Sequence, residues 1–458
     1  MLERKKYMYV CFSWFIGYPE LATELGPYQV GTKWGVFKPT MDPTKESTYT
    51  FLDAFFKEMT ELFPDPYFHI GGDEVEGSQW MRSAAIRQFI DDNQLRGKNG
   101  LQAYFNRRIQ TILKKYNRIM IGWEEILDEV SEKLAVDKDA VIHSWKSRAS
   151  FTGTIKKGYS GILSHGYYLD YLQNSRIHYQ VDPIPENEFQ SLTEEERNHL
   201  LGGEACMWSE YVSQDTVDSR LWPRALAIAE RFWSPSSINN ETSLYERLFR
   251  MNHLLDGMNL GLTHISHYKT RVQNLIADPE KKISLFHPLI ILADASEPMG
   301  NGERGATGGY NSNIPLTTFI DALQAESEFV WKLENLPGND ERLREAFKMW
   351  SVNHLHLKGL FDPLNAIKNR LLWGQDLRKL SKNLARVGET GLNILDYQAT
   401  KLFHPDRNNS MNSWTLSHWI THQSNVLNGL EVEVQEVRLA AVRPVRRLLQ
   451  SIQNAPKS

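Results

Sequence analysis

The stretch His69-Ile70-Gly71-Gly72-Asp73-Glu74-Val75 places two adjacent carboxylates directly behind a pair of glycines. The residues leading into it, Pro66-Tyr67-Phe68-His69-Ile70, are apolar and aromatic, as expected of a short buried strand. Neighbouring residues at a strand end can reach one pocket while facing different parts of a ligand. Two acids in different surroundings can also be tuned to different pKa values, the arrangement that general acid–base chemistry uses. An arbitrary Asp-Glu pair is more often a solvated acidic turn. The glycines argue against that here, because they let the backbone approach a ligand closely. A carboxylate metal site at Asp73, Glu74 and Glu76 is a further reading, but the stretch lacks the His or Asp spacing that such sites usually show.

The rest of the chain must position these acids. From about Tyr49 to Trp233, helical and strand-like segments alternate. Phe51-Leu52, Phe55-Phe56, Met59 and Leu62-Phe63 recur at helical spacing, and residues 79–92, 101–116 and 222–232 fit helices. Strands are predicted at residues 67–70, 118–123, 140–145, 161–164 and 203–208. This alternation predicts parallel βαβ units. Asp73, Glu74, Trp123, Trp145, Tyr168 and Trp208 all fall at or just past the C-terminal end of a predicted strand, where a β/α barrel builds its active site.

Composition narrows the function classes. A net charge of −4 over 458 residues gives no reason to expect nucleic acid as a partner. Cys11 and Cys206 are the only cysteines, so neither a disulfide framework nor a zinc cluster is expected. Thirteen tryptophans suit stacking on sugar rings or the packing of large cores. No stretch is long and apolar enough to span a membrane. The first residues are polar and basic, and 7–16 are apolar. That run leads into Gly17-Tyr18-Pro19-Glu20 with no small-residue cleavage site, so it reads as a strand entering the fold.

Beyond about Ile265 the character changes. Residues 287–293 read as one short strand and 300–313 as a loop rich in Gly and Asn. Helices are expected at 322–333, 341–357, 363–384 and 432–452. The organisation expected is thus 1-265 and a mainly helical region, 266-458.

The motifs, in this order, resemble those of family 20 glycoside hydrolases, the β-N-acetylhexosaminidases. They are His69-Ile70-Gly71-Gly72-Asp73-Glu74, Gly122-Trp123-Glu124-Glu125, Trp145, Tyr168-Leu169-Asp170, Gly203 to Glu210 and Leu221-Trp222-Pro223-Arg224-Ala225. They cover about residues 13 to 260. The resemblance implies an α/β fold, a (β/α)8 TIM-type barrel followed by a mostly helical C-terminal region. It also implies no cofactor and no metal, a periplasmic or secreted setting for the full-length family, and substrates that are N-acetylhexosamine glycans or chito-oligosaccharides. Glu74 would be the general acid, and Asp73 would hold the acetamido N–H. Tyr168 would donate to the acetamido carbonyl, Trp123, Trp145 and Trp208 would line the pocket, and Asp170 and Glu210 would accept from sugar hydroxyls. His69 would fix the loop.

The upstream part departs from that pattern. The family carries an Arg, an Asp and a His on earlier strands, the His in a Pro-Gly-His segment shortly before a Ser-Trp that Ser13-Trp14 resembles. Here that position falls near Val10. Only five or six strands are predicted where a closed barrel has eight. The expectation is a barrel lacking its first strands, as in a truncated or interrupted hexosaminidase, or one closed by an oligomer or a partner chain. A sugar-binding remnant without activity is the alternative function.

Overall fold

In the structure, a computed structural model, the residues described are 14–33, 35–128, 133–258, 264–276, 278–300, 311–361, 374–402, 415–434 and 436–454. Five strands form one parallel sheet in the order β1 to β5: Tyr67–His69, Ile119–Trp123, Val141–Ser144, Ser160–Leu163 and Leu200–Gly203. Each strand pairs with the next, with Tyr67 opposite Ile119, Trp123 opposite His143 and Ser144 opposite Leu163. β4 and β5 pair across an irregularity at Gly161–Ile162. Helices connect the strands, as crossovers between parallel strands require. This is the α/β architecture expected, supplying five of the eight strands of a (β/α)8 barrel among the described residues.

The sheet buries one face against the helices Glu46–Leu62 and Gly97–Lys115. Leu52, Phe56, Ile109 and Leu113 pack on Met120 and Ile142. Trp14 joins this layer edge-on to Phe51 and Phe55, at 5.3 and 5.0 Å between ring centres. Residues 14–17 are helical, which corrects the end of the strand expected at 7–16, residues 14–16; Ser13 and the residues before it lie outside those described. The helix expected at 79–92 is two helices, Ser78–Arg82 and Ala84–Asp92. Ser83 breaks it by turning extended and capping the second helix with its side chain.

The C-terminal region has its own core, in which Leu289, Leu343, Phe347, Trp350, Leu384, Val387, Trp419 and Val445 are all buried. Its helices Glu341–His356 and Gly374–Thr400 pack closely because Gly388 faces the partner backbone. A Cβ there would lie 2.5 Å from the Phe347 carbonyl oxygen. The strand expected at 287–293 is instead part of the helix Lys282–Asp294, and the real strand, β6, follows at Ser296–Pro298. The helix expected at 432–452 is also shorter. β7, Val437–Leu439, pairs antiparallel with β6 before the helix Val442–Gln453 begins. The loop expected at 300–313 falls largely outside the described residues; of the helix expected at 363–384, residues 363–373 lie outside them and 374–384 open the helix Gly374–Thr400.

Buried polar contacts join the two regions. The Glu326 carboxylate accepts the Ser175 backbone N–H at 2.9 Å, the Ser175 hydroxyl, and the Tyr245 hydroxyl at 2.8 Å. Asn174 donates to the Ala325 carbonyl at 2.9 Å and accepts from Arg438 at 3.1 Å. Arg220 faces Asp321 at 3.6 Å, both fully buried. Arg443 grips Glu297 with two hydrogen bonds at 2.7 and 2.9 Å and braces the same interface from the helical side. No described helix is long and apolar enough to cross a membrane.

Candidate functional site

The site is built where β1 to β4 end. β1 stops at His69, whose Nδ1 accepts the Gly71 N–H at 3.0 Å. Gly71 and Gly72 then take φ of 80° and 98°, conformations open to glycine. The turn is locked on both sides. The Trp123 N–H donates to the Gly71 carbonyl at 2.9 Å, and the Gln102 side chain donates to the Gly72 carbonyl at 2.7 Å. Asp73 and Glu74 follow, both half-buried, and Glu74 has φ of +50°. A non-glycine residue in that region is strained by about 1–3 kcal/mol, and such strain clusters at functional positions.

β2 ends at Trp123, which lies over His143 of β3 with ring centres 4.2 Å apart. Trp123 also meets His69 edge-on at 5.0 Å and Trp208 at 5.9 Å. Tyr168 lies 5.9 Å from Trp208 and 5.3 Å from Tyr171. Trp123, Tyr168, Trp208 and Cys206 form one buried cluster, with Trp145 and Tyr171 packed against it. The Trp208 indole N–H is buried and has no acceptor among the described residues. Burial drives the Tyr168 phenol well above its usual pKa, helped by its proximity to Cys206, so the hydroxyl stays a hydrogen-bond donor.

The segment carrying Trp208 is not the strand expected at 203–208. β5 ends at Gly203, and the chain continues as an extended segment tied to the Tyr168 loop. Cys206 N–H donates to the Tyr167 carbonyl at 3.1 Å, and Leu169 N–H to the Cys206 carbonyl at 2.8 Å. Asp170 is buried in the short helical turn Leu169–Tyr171, and Glu210 is half-buried in the turn two residues past Trp208.

Four residues without an assigned role emerge here. Glu124 is buried and accepts the backbone N–H groups of Trp145 and Lys146 at 3.1 and 2.6 Å. Glu125 accepts the Trp145 indole N–H, and burial raises its carboxyl pKa, opposed by that bond and by Lys146. The Gly-Trp-Glu-Glu motif was the signal for both. Arg224, fully buried, donates to the carbonyls of Gln173 and Arg220 and lies near the charges of Glu326 and Asp170; burial lowers its pKa to about 10. His143 is fully buried, and burial, followed by neighbouring His69, holds its pKa well below the usual value. Nothing local in the sequence marked it beyond its place in β3.

A parallel sheet with these acids and aromatics gathered at its C-terminal strand ends places the chain in the TIM-barrel class of α/β proteins. Residues 11–236, just under half of the chain, match glycosyl hydrolase family 20, catalytic domain. It is 34% identical over 244 residues to the beta-hexosaminidase subunit beta of Mus musculus, covering 52% of this chain and 44% of that protein. It is 34% identical over 245 residues to the corresponding subunit of Homo sapiens, covering 52% of this chain and 42% of that one. The chain therefore spans less than half the length of these relatives. The solved structure of Flavobacterium johnsoniae chitobiase superposes with a TM-score of 0.77 at 29% identity, over 95% of this chain and 63% of that chain.

Proposed function

We propose that the chain acts as a β-N-acetylhexosaminidase, releasing terminal non-reducing N-acetylglucosamine or N-acetylgalactosamine from glycans or chito-oligosaccharides by a substrate-assisted retaining mechanism. In this reading residues 1-265 form the catalytic barrel region and 266-458 the helical region packed on it. The observation that supports the reading is the gathering of Trp123, Tyr168 and Trp208, with Trp145 beside them, past the strand ends, with the Trp123 N–H bonded to the Gly71 carbonyl two residues before Asp73. The names of the relatives point the same way.

Substrate-assisted members of this family depart from the ordinary two-carboxylate scheme. Glu74 protonates the glycosidic oxygen as the acetamido oxygen of the substrate attacks the anomeric carbon. The product is an oxazolinium-like intermediate, reached with the advantage of an intramolecular reaction. Asp73 accepts the acetamido N–H and offsets the charge that develops there. Tyr168, kept protonated by burial, donates to the acetamido oxygen. Trp123, Trp145 and Trp208 enclose the methyl group and the ring, while Asp170 and Glu210 accept from hydroxyls. Glu74 then takes the proton of the incoming water and releases the sugar with its configuration retained.

A second reading is a chain that binds N-acetylated sugars without turning them over. It is favoured by the open sheet of the described residues, in which β1 and β5 are each paired on one side alone. Hydrolysis of a chromogenic N-acetylglucosaminide by the folded chain and by Glu74→Gln, alongside calorimetric titration with N-acetylglucosamine, separates the two. Turnover that falls about 10²- to 10⁴-fold in the variant supports the hydrolase. Binding heat with no turnover in either protein supports the binding reading.

A further inference from the structure

We propose that His143, Glu204 and Cys206 form a binding site for one borderline divalent transition-metal ion, of which Zn²⁺ is the best chemical fit, at the floor of the aromatic pocket. Each residue offers one ligand atom, and the three atoms lie within 4.8 Å of one another. In a tetrahedral zinc site with bonds of about 2.0–2.3 Å, ligand atoms stand roughly 3.3–3.8 Å apart, so closure needs a contraction of at most about 1.5 Å. Among the described residues these three converge to ligand distance, and the acids Asp73, Glu74 and Glu76 do not.

His143 supplies the independent observation. Its side chain is fully buried, and neither ring nitrogen has a hydrogen-bond partner. Leaving a buried polar group unsatisfied costs about 1–3 kcal/mol per group, and an ion is one of the few things that explains such an orphan. The backbone presents the other two ligands together. Glu204 N–H donates to the Leu163 carbonyl and Cys206 N–H to the Tyr167 carbonyl, so both residues lie on one extended segment. Alternate residues of such a segment project to the same side. Imidazole, carboxylate and thiolate are all ordinary zinc ligands, and three of them leave a fourth position for water or for a ligand atom from the pocket.

The ion would displace the proton of the Cys206 thiol to solvent, so binding strengthens as pH rises. Trp123 lies over His143, and Cys206 belongs to the cluster with Tyr168 and Trp208, so a bound ion occupies space that a sugar would fill. Inhibition competitive with substrate therefore follows. That consequence rests on the sugar-pocket reading above, whereas metal binding itself does not.

Titration of the full chain with Co²⁺, followed by absorbance, tests the site without relying on activity. The expected result is one equivalent bound with a near-ultraviolet thiolate charge-transfer band that Zn²⁺ abolishes by displacement. Cys206→Ser should lose the band, Cys11→Ser should keep it, and His143→Gln and Glu204→Gln should each weaken binding about ten-fold or more, with circular dichroism confirming that each is folded. Absence of the band in the parent chain, or its survival in Cys206→Ser, overturns the proposal. If the band is present while Zn²⁺ leaves hydrolysis unaffected, the metal site stands and its overlap with the sugar pocket fails.

Discussion

Trp145 donates its indole N–H to both oxygens of the Glu125 carboxylate, at 2.9 and 3.1 Å, across the ends of two adjacent strands. Glu124 simultaneously holds the Trp145 and Lys146 backbone N–H groups. Two successive acids at the end of β2 therefore set both the main chain and the ring of the aromatic residue that follows β3. The placement of Trp145, a pocket wall in the proposed function, depends on these two carboxylates.

Glu125→Ala should release the Trp145 ring while leaving the Glu124 contacts in place. Displacement of a positioning group by about 1 Å can cost up to about 10²-fold, and the expected loss is mainly in kcat/KM. Glu125→Gln keeps an acceptor for the indole and should retain most of the activity. Steady-state kinetics on both variants check this; equal rates for parent and Glu125→Ala would remove Glu125 from the account.

His178 makes stability depend on pH in the acid range. It is fully buried, donates from Nδ1 to the Gly166 carbonyl at 2.6 Å, and has its pKa lowered to about 4, chiefly by burial and then by the charge of Arg224. Because the folded pKa lies below the unfolded value near 6.5, the neutral ring stabilises the fold fully above about pH 6.5. That contribution, on the order of 3 kcal/mol, is lost as pH falls toward 4. Melting temperatures between pH 7 and 4 should fall, and His178→Gln should flatten that dependence.

Glu326 ties the helical region to the segment just beyond the Tyr168 loop. Truncation to Ala leaves the Ser175 and Tyr245 donors unmatched and removes a neighbouring charge from buried Arg224. Breaking such a buried network costs about 3–5 kcal/mol. Glu326→Gln preserves volume and one acceptor and should cost roughly 1–3 kcal/mol. Denaturant unfolding measures both; a change below about 0.5 kcal/mol for the alanine variant would contradict the interface described.

Gly388→Ala probes the helical core. Its Cβ would meet the Phe347 carbonyl oxygen at 2.5 Å and the Ser351 nitrogen at 2.6 Å, and both are main-chain atoms that cannot swing aside. Overpacking of this kind costs about 1–3 kcal/mol. Thermal unfolding should show a lower midpoint, although alanine is ordinarily the better helix former.

The sheet was largely legible because β1 to β4 are compact apolar runs bounded by glycine or polar residues, with helical periodicity between them. Misreadings arose where neighbours in space decide. The run Leu289-Ile290-Ile291-Leu292 looks like a strand, but it belongs to the helix Lys282–Asp294, and four apolar residues in succession hide the helical period. β7 is defined by pairing with β6, more than a hundred residues earlier, and no local pattern contains that. The helix Leu416–Glu431 was passed over because Ser, His, Thr and Asn dilute its apolar stripe. In the site, residues carried by motifs were nameable in advance. The motifs contain Glu124, Glu125 and Arg224 too, but not their roles as struts, since each acts through a contact between separate segments.

In the proposed mechanism, an acetamido group held beside Asp73 and Glu74 supplies the nucleophile. The most direct measurement compares kcat for aryl glycosides whose acetamide carries zero, one or three fluorine atoms. A steep fall, about 10²-fold or more, is expected as the amide oxygen loses nucleophilicity. Rates independent of fluorination would contradict it.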